Sequence, residues 1–154
     1  AQMDRRLSKL DAIREQFDAG QSHQTFHGPE TATYGIITWG SQQDTVFEAT
    51  DRLQEAGHDV RALGVSDLMP YPVAEVTDFL EGVDACLVVE MNASAQFRGL
   101  TQKELGRFGP KLSSLLKYDG EPFEPGEIVD GFESSIDGET ETAGNMKLVP
   151  AAGD

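Results

Sequence analysis

The stretch Tyr34-Gly35-Ile36-Ile37-Thr38-Trp39-Gly40-Ser41 decides the fold. It is a short run rich in Ile, Thr and aromatic residues, and glycine closes it. That pattern reads as a buried strand. Ser41 stands where a helix N-cap belongs, with Gln42, Gln43 and Asp44 in the first turn. A strand, a tight Gly turn and a capped helix make the opening unit of an open α/β sheet. In such sheets, ligands and partners meet the loops at the carboxyl ends of the strands.

The same theme repeats downstream. A helix over 42–56 buries Val46, Ala49, Thr50, Leu53 and Ala56, and Gly57 stops it. A second strand is expected over 59–65. Its exit, Leu68-Met69-Pro70-Tyr71-Pro72, is held extended by two prolines. A helix over 73–81 is expected to turn Val73, Val76, Phe79 and Leu80 inward, with Gly82 as its stop. Residues 84–91 form the most hydrophobic strand, and its unbroken run suits a position buried on both faces. A helix over 95–107 and a short strand over 112–118 follow. Alternating strands and helices with short loops imply a mostly parallel sheet covered on both sides.

The flanks read differently. Residues 3–17 form a helix with a narrow apolar stripe through Leu7, Leu10, Ile13 and Phe17. It packs on this domain or ends a linker from a preceding one. Residues 20–32 are rich in Gly, Ser, Gln and Thr, as a loop is. After Pro125 a short helix fits 127–129. Beyond Asp130 the chain is acidic and poor in apolar residues, which predicts a mostly disordered tail. The expected organisation is therefore a lead-in over 1–33, an α/β domain over 34–130 and a tail over 131–154. The chain opens at Ala1 and enters a charged helix directly. That start reads as a piece of a longer polypeptide, although removal of an initiator Met gives the same start.

Charge narrows the function. With 27 acids against 12 bases the net charge is −15. Such a field repels nucleic acid and anionic membrane. It fits either an ordinary acidic surface with an acidic tail or adaptation to high salt, where screening relieves self-repulsion. The single cysteine, Cys86, lies inside an apolar run. It reads as a small core residue, permits no internal disulfide and fits a reducing cytoplasm. His23 and His27 stand four apart, but neighbouring Gly and Thr disfavour a helix and no third ligand is near. No G-x-G-x-x-G, Walker or G-x-S-x-G pattern follows a strand. Read from its residues alone, the domain shows no catalytic set and no cofactor or metal site of its own. The loops at Gly40 and Ser41, and at Glu90, Asn92 and Gln96, are the candidate interface or structural positions. Glu90 ends the central strand, and it either serves a function or satisfies the next helix's free N–H groups.

Three stretches together carry a resemblance: Tyr34 to Ser41, Val88-Val89-Glu90-Met91-Asn92, and Lys117-Tyr118-Asp119-Gly120-Glu121-Pro122-Phe123. In that order and spacing the chain resembles the carboxyl-terminal domain of the alpha subunit of 2-oxoacid:ferredoxin oxidoreductases. The likeness is to the 2-oxoglutarate or pyruvate type and to haloarchaeal members, over about residues 3–130. One departure is Ala95-Gln96, where the family commonly has Gly-Gln. The resemblance implies a transketolase carboxyl-terminal-like fold, a three-layer α/β/α sandwich on a five-stranded, mostly parallel sheet. It implies a reaction in the whole enzyme: a 2-oxoacid, CoA and oxidised ferredoxin give acyl-CoA, CO2 and reduced ferredoxin. The implied cofactors are thiamine diphosphate with Mg, between alpha and the beta subunit, and an iron–sulfur cluster in beta. The implied role here is packing against the preceding alpha-subunit domains and the beta subunit, with ferredoxin met through the complex. No catalytic residue carries over. The competing reading is a stand-alone flavodoxin-like or nucleotide-binding module using the same loops, because helix N-termini bind anions.

Overall fold

The computed structural model describes residues 2–18, 23–139 and 146–152. Helix α1 spans Gln2–Asp18, and Leu7 and Ile13 on it are exposed. Six strands then form one sheet: β1 (Thr25–His27), β2 (Tyr34–Trp39), β3 (Val60–Val65), β4 (Ala85–Glu90), β5 (Leu112–Lys117) and β6 (Met146–Val149). Their order across the sheet is β1-β3-β2-β4-β5-β6. The four central strands run parallel, while β1 pairs with β3 and β6 with β5 antiparallel.

Helices cover both faces because the strands alternate their apolar side chains. On one face Ile36, Leu87, Val89 and Leu115 meet Val46, Ala49 and Leu53 of α2 (Gln43–Glu55) and Ile128 and Phe132 of α5 (Pro125–Ile136). On the other, Ile37, Leu63, Cys86 and Val88 meet Val76, Phe79 and Leu80 of α3 (Val73–Glu81) and Phe97 of α4 (Gln96–Leu105). This is the three-layer sandwich with a mostly parallel sheet. At Gly35 β2 passes tightly under α3: a Cβ there would lie 2.8 Å from the Phe79 ring. Among the described residues no helix is long and apolar enough to cross a membrane.

Several expectations need correction. Among the described residues the sheet has six strands rather than five. Strand β1 lies inside the stretch read as a loop, and its three residues are too few to show an alternation. Its backbone is paired with β3, and the Phe26 and Phe79 rings lie 6.3 Å apart. Residues beyond Asp130 are not all tail. Helix α5 runs on to Ile136 because Gly131 and Phe132 pack inward, and β6 adds an edge strand with Leu148 buried. The acidic flanks hide this by diluting the apolar residues to a few. The parts of the expected loop and tail at 20–22, 140–145 and 153–154 lie outside the described residues. Ser41 does not cap α2. It sits in a 3-10 turn, Gly40–Gln42, and α2 begins only at Gln43 with no side-chain cap.

Candidate functional site at the carboxyl edge

The sheet order places the site. From β2 the chain moves to β3 on one side, then crosses back to β4 on the other. Neighbouring connections therefore diverge beyond β2 and β4, and a crevice opens there. The register shows the divergence. Strand β2 pairs with β3 as far as Trp39↔Val65, but with β4 only as far as Ile37↔Val88. Past that point the Thr38 hydroxyl replaces the ladder and donates to the Val89 carbonyl at 3.0 Å. The resulting cleft has a volume of about 430 Å³. It brings together all five positions singled out from sequence: Gly40, Ser41, Glu90, Asn92 and Gln96. Trp39, Gln42, Val89 and Met91 complete its lining.

Glu90 is buried, and its carboxylate is engaged by its own chain. Oε1 accepts from the Phe97 N–H at 2.5 Å and from Asn92 Nδ2 at 2.9 Å. Oε2 accepts from the Arg98 N–H at 3.1 Å. A strand-end acid thus serves two of the orphan N–H groups that open α4, where the helix dipole also favours it. Asn92 works beside it, with Oδ1 accepting from the N–H of Ser94 at 3.1 Å and of Gln96 at 3.4 Å. Glu90 thus makes the helix-opening contacts that its place at the strand end allows. Behind it, burial pulls the Arg98 guanidinium below its ordinary value, and Glu90 partly offsets the pull. Arg98 donates to Ser114 Oγ at 3.4 Å and to the Pro150 carbonyl at 3.3 Å. The floor of the cleft is therefore wired to the segment after β6.

The turn into α4 passes through a left-handed alanine. Ala95 has φ 51° and ψ 48°, the left-handed region. Glycine reaches it freely and an L side chain is strained there. Gly40 also has positive φ, at 75°, and a Cβ there would meet open space. Gln42 was not legible as a cleft residue. It is buried, its Nε2 donates to Met91 Sδ at 2.8 Å, and its Oε1 has no hydrogen-bond partner in the structure. The only signal for it was its place one residue past the Gly-Ser turn.

The histidines are held elsewhere. His23 pairs with Asp67 at 3.3 Å, His27 with Asp51 at 2.7 Å and His58 with Glu133 at 3.3 Å. His27 also stacks on Phe47. A second polar cluster follows β5, where Lys117 Nζ donates to Glu127 Oε1 at 2.9 Å and to the Pro122 carbonyl at 3.0 Å. The Glu127 hydrogen bond lifts the Lys117 ammonium above its ordinary value. The described residues do not form a site that fits the cofactors implied for the whole enzyme. One cysteine, buried, cannot ligate an iron–sulfur cluster that needs several thiolates. A cleft floored by a buried carboxylate opposes a diphosphate. Among the described residues no group of three or more His, Cys, Asp or Glu could hold a metal ion.

An open, mostly parallel sheet with helices on both faces and its cleft at the switch point defines an α/β core domain. Residues 32–120 match the family described as pyruvate:ferredoxin oxidoreductase core domain II. The chain belongs to that family, as a domain of the alpha subunit of a 2-oxoacid:ferredoxin oxidoreductase. The alpha subunit of 2-oxoacid:ferredoxin oxidoreductase 2 from Aeropyrum pernix is 29% identical over 126 residues, covering 82% of this chain and 19% of the relative. That of 2-oxoacid:ferredoxin oxidoreductase 1 from Sulfurisphaera tokodaii is 29% identical over 137 residues, covering 88% and 21%. The solved 2-oxoglutarate:ferredoxin oxidoreductase from Magnetococcus marinus, with 2-oxoglutarate, coenzyme A and succinyl-CoA bound, aligns with a TM-score of 0.67 at 30% identity. That alignment covers 78% of this chain and 21% of the other. The chain thus spans about a fifth of the length of the curated relatives it matches.

Proposed function

We propose that this chain is an accessory domain of a thiamine-diphosphate-dependent, CoA-acylating 2-oxoacid:ferredoxin oxidoreductase, and that it supplies assembly rather than chemistry. One observation carries the proposal. Glu90, the acid at the centre of the carboxyl edge, accepts three hydrogen bonds from its own chain, two of them from the opening N–H groups of α4. A carboxylate held that way holds the loop in shape and is poorly placed to move a proton for a substrate. Thiamine diphosphate, Mg and the iron–sulfur cluster belong, in this reading, to the other alpha-subunit domains and the beta subunit.

The test is reconstitution. The complex assembled with this chain should reduce ferredoxin when given a 2-oxoacid and CoA, and the chain alone should not. Turnover by the chain alone would sink the proposal. The cleft also favours a second reading, a nucleotide or flavin site. Its acidic floor weighs against it, and titration with FMN, nucleotides and coenzyme A decides. Saturable binding by the purified chain, tighter than about millimolar, supports that reading instead.

A further inference from the structure

The exposed apolar side chains of the α/β body are unevenly placed. Among its described residues the large ones are Phe26, Trp39, Met69, Val73, Met91 and Tyr118. All but Phe26 lie at or beyond the carboxyl ends of parallel strands. Met69 follows β3, Trp39 ends β2, Met91 follows β4 and Tyr118 follows β5. The sheet order β3-β2-β4-β5 sets the carboxyl ends of the strands that lead to these four side by side in a row. At the usual strand spacing the row is about 15 Å long. None is slightly exposed: Trp39 is 44% accessible, Met69 78%, Met91 39% and Tyr118 56%. Trp39, Met91 and Gln42 line the same cleft, and the buried Gln42 Oε1 has no hydrogen-bond partner.

Acids border this row. Asp44 opens α2 and is exposed, and Asp119, Glu121 and Glu124 follow Tyr118, also exposed. Lys147, at the start of β6, is an exposed base on the same side, and Lys117 is buried against Glu127. The rim is thus acidic around an apolar centre. A second copy of the chain brings the same rim and a net charge of −15, and repels. An anionic lipid surface repels too. What the surface matches is a protein face with an apolar centre and Lys or Arg at its edge.

We infer that the carboxyl edge, through Met69, Trp39, Met91 and Tyr118, is the surface by which this domain docks onto a basic-rimmed face elsewhere in its oxidoreductase. This rests on the accessory-domain reading above, and it adds which edge is covered and by what chemistry. The chain's length, about a fifth of its relatives, leaves most of such an enzyme to supply that face.

Met, Trp and Tyr are all readily oxidised by hydroxyl radicals, so footprinting reads these four directly. The chain is co-expressed with the remaining polypeptides of its oxidoreductase, and the complex is compared with the free chain. The expected result is oxidation of all four residues slowed by about fivefold or more in the complex, as for a desolvated interface centre, with Phe26 unchanged. The double variant Asp44→Lys, Glu121→Lys changes exposed residues only. It should raise the dissociation constant about tenfold through the lost charge match. A complex whose four residues oxidise as in the free chain overturns the inference and leaves the accessory reading standing. Unchanged affinity of the double variant overturns the basic rim. Protection already present in the free chain, with a dimer seen by sedimentation, makes a second copy the occupant and overturns it too. No complex under any salt condition overturns both readings.

Discussion

Replacing Glu90 by Ala removes the acceptor for the N–H groups of Phe97 and Arg98, both buried. Three charge-assisted bonds are lost, the third from Asn92 Nδ2, and the two buried backbone donors are left unserved. We expect a destabilisation of about 3 kcal/mol. Asn92→Ala removes the weaker contacts to Ser94 and Gln96 and should cost about 1 kcal/mol. Urea melts of the two variants check the order, and an Asn92 effect larger than that of Glu90 would contradict it. Ala95→Gly works the other way. It relieves a left-handed alanine and should stabilise by up to about 1 kcal/mol; a lower melting temperature would show that Ala95 packs usefully. At this scale the sequence was partly readable. Glu90 and Asn92 stood out because an acid and an amide followed an unbroken apolar run. Which role Glu90 plays was not readable, since the donors that choose it lie seven and eight residues on. Gln42 and Met91 were invisible as cleft residues, because their contact joins loops 49 residues apart.

The interior elements were legible because each is long and periodic. Strand β4 carries an unbroken apolar run, β2 and β3 are apolar apart from Thr38 and Arg61, and α2 and α3 show inner faces at helical spacing. The edges were not. Strand β1 has three residues, and β6 has four set in an acidic, Gly-rich flank, so neither carries enough pattern to register. What fixes them is pairing across the sheet. The β6 assignment has a direct check in a chain ending at Glu139. That truncation uncovers Leu115 where Leu148 paired with it, and it takes the Pro150 carbonyl from Arg98. Burial of one leucine alone is worth about 2 kcal/mol, so the loss should be at least that. An unchanged melt would return residues 140–154 to the status of a tail.

For the whole molecule, alkaline pH tests the core. Burial pushes the Cys86 thiol and the Tyr71 phenol well above their ordinary values, and the Tyr71 hydroxyl shares a hydrogen bond with Thr101 at 2.7 Å. Groups raised in the folded state contribute stability that is fully present below their unfolded values. It is lost as pH climbs from there towards the folded values. The unfolded values are about 8.5 for Cys and about 10 for Tyr, so stability should begin to fall near pH 8.5. Lys117, raised by Glu127, adds a further loss above the ordinary lysine value of about 10.4. In Cys86→Ala the onset should move to about pH 10, and the same onset in both proteins would contradict burial of a neutral thiol. The central claim, that this domain assembles an oxidoreductase without taking part in its chemistry, turns on one measurement. Ferredoxin reduction from a 2-oxoacid and CoA is measured per assembled complex carrying Glu90→Gln. The account predicts kcat within about twofold of the parent, with a lower melting temperature, because Glu90 acts only through the shape of its loop. A complex that assembles and melts normally but turns over a hundredfold more slowly would place Glu90 in the reaction and contradict the account.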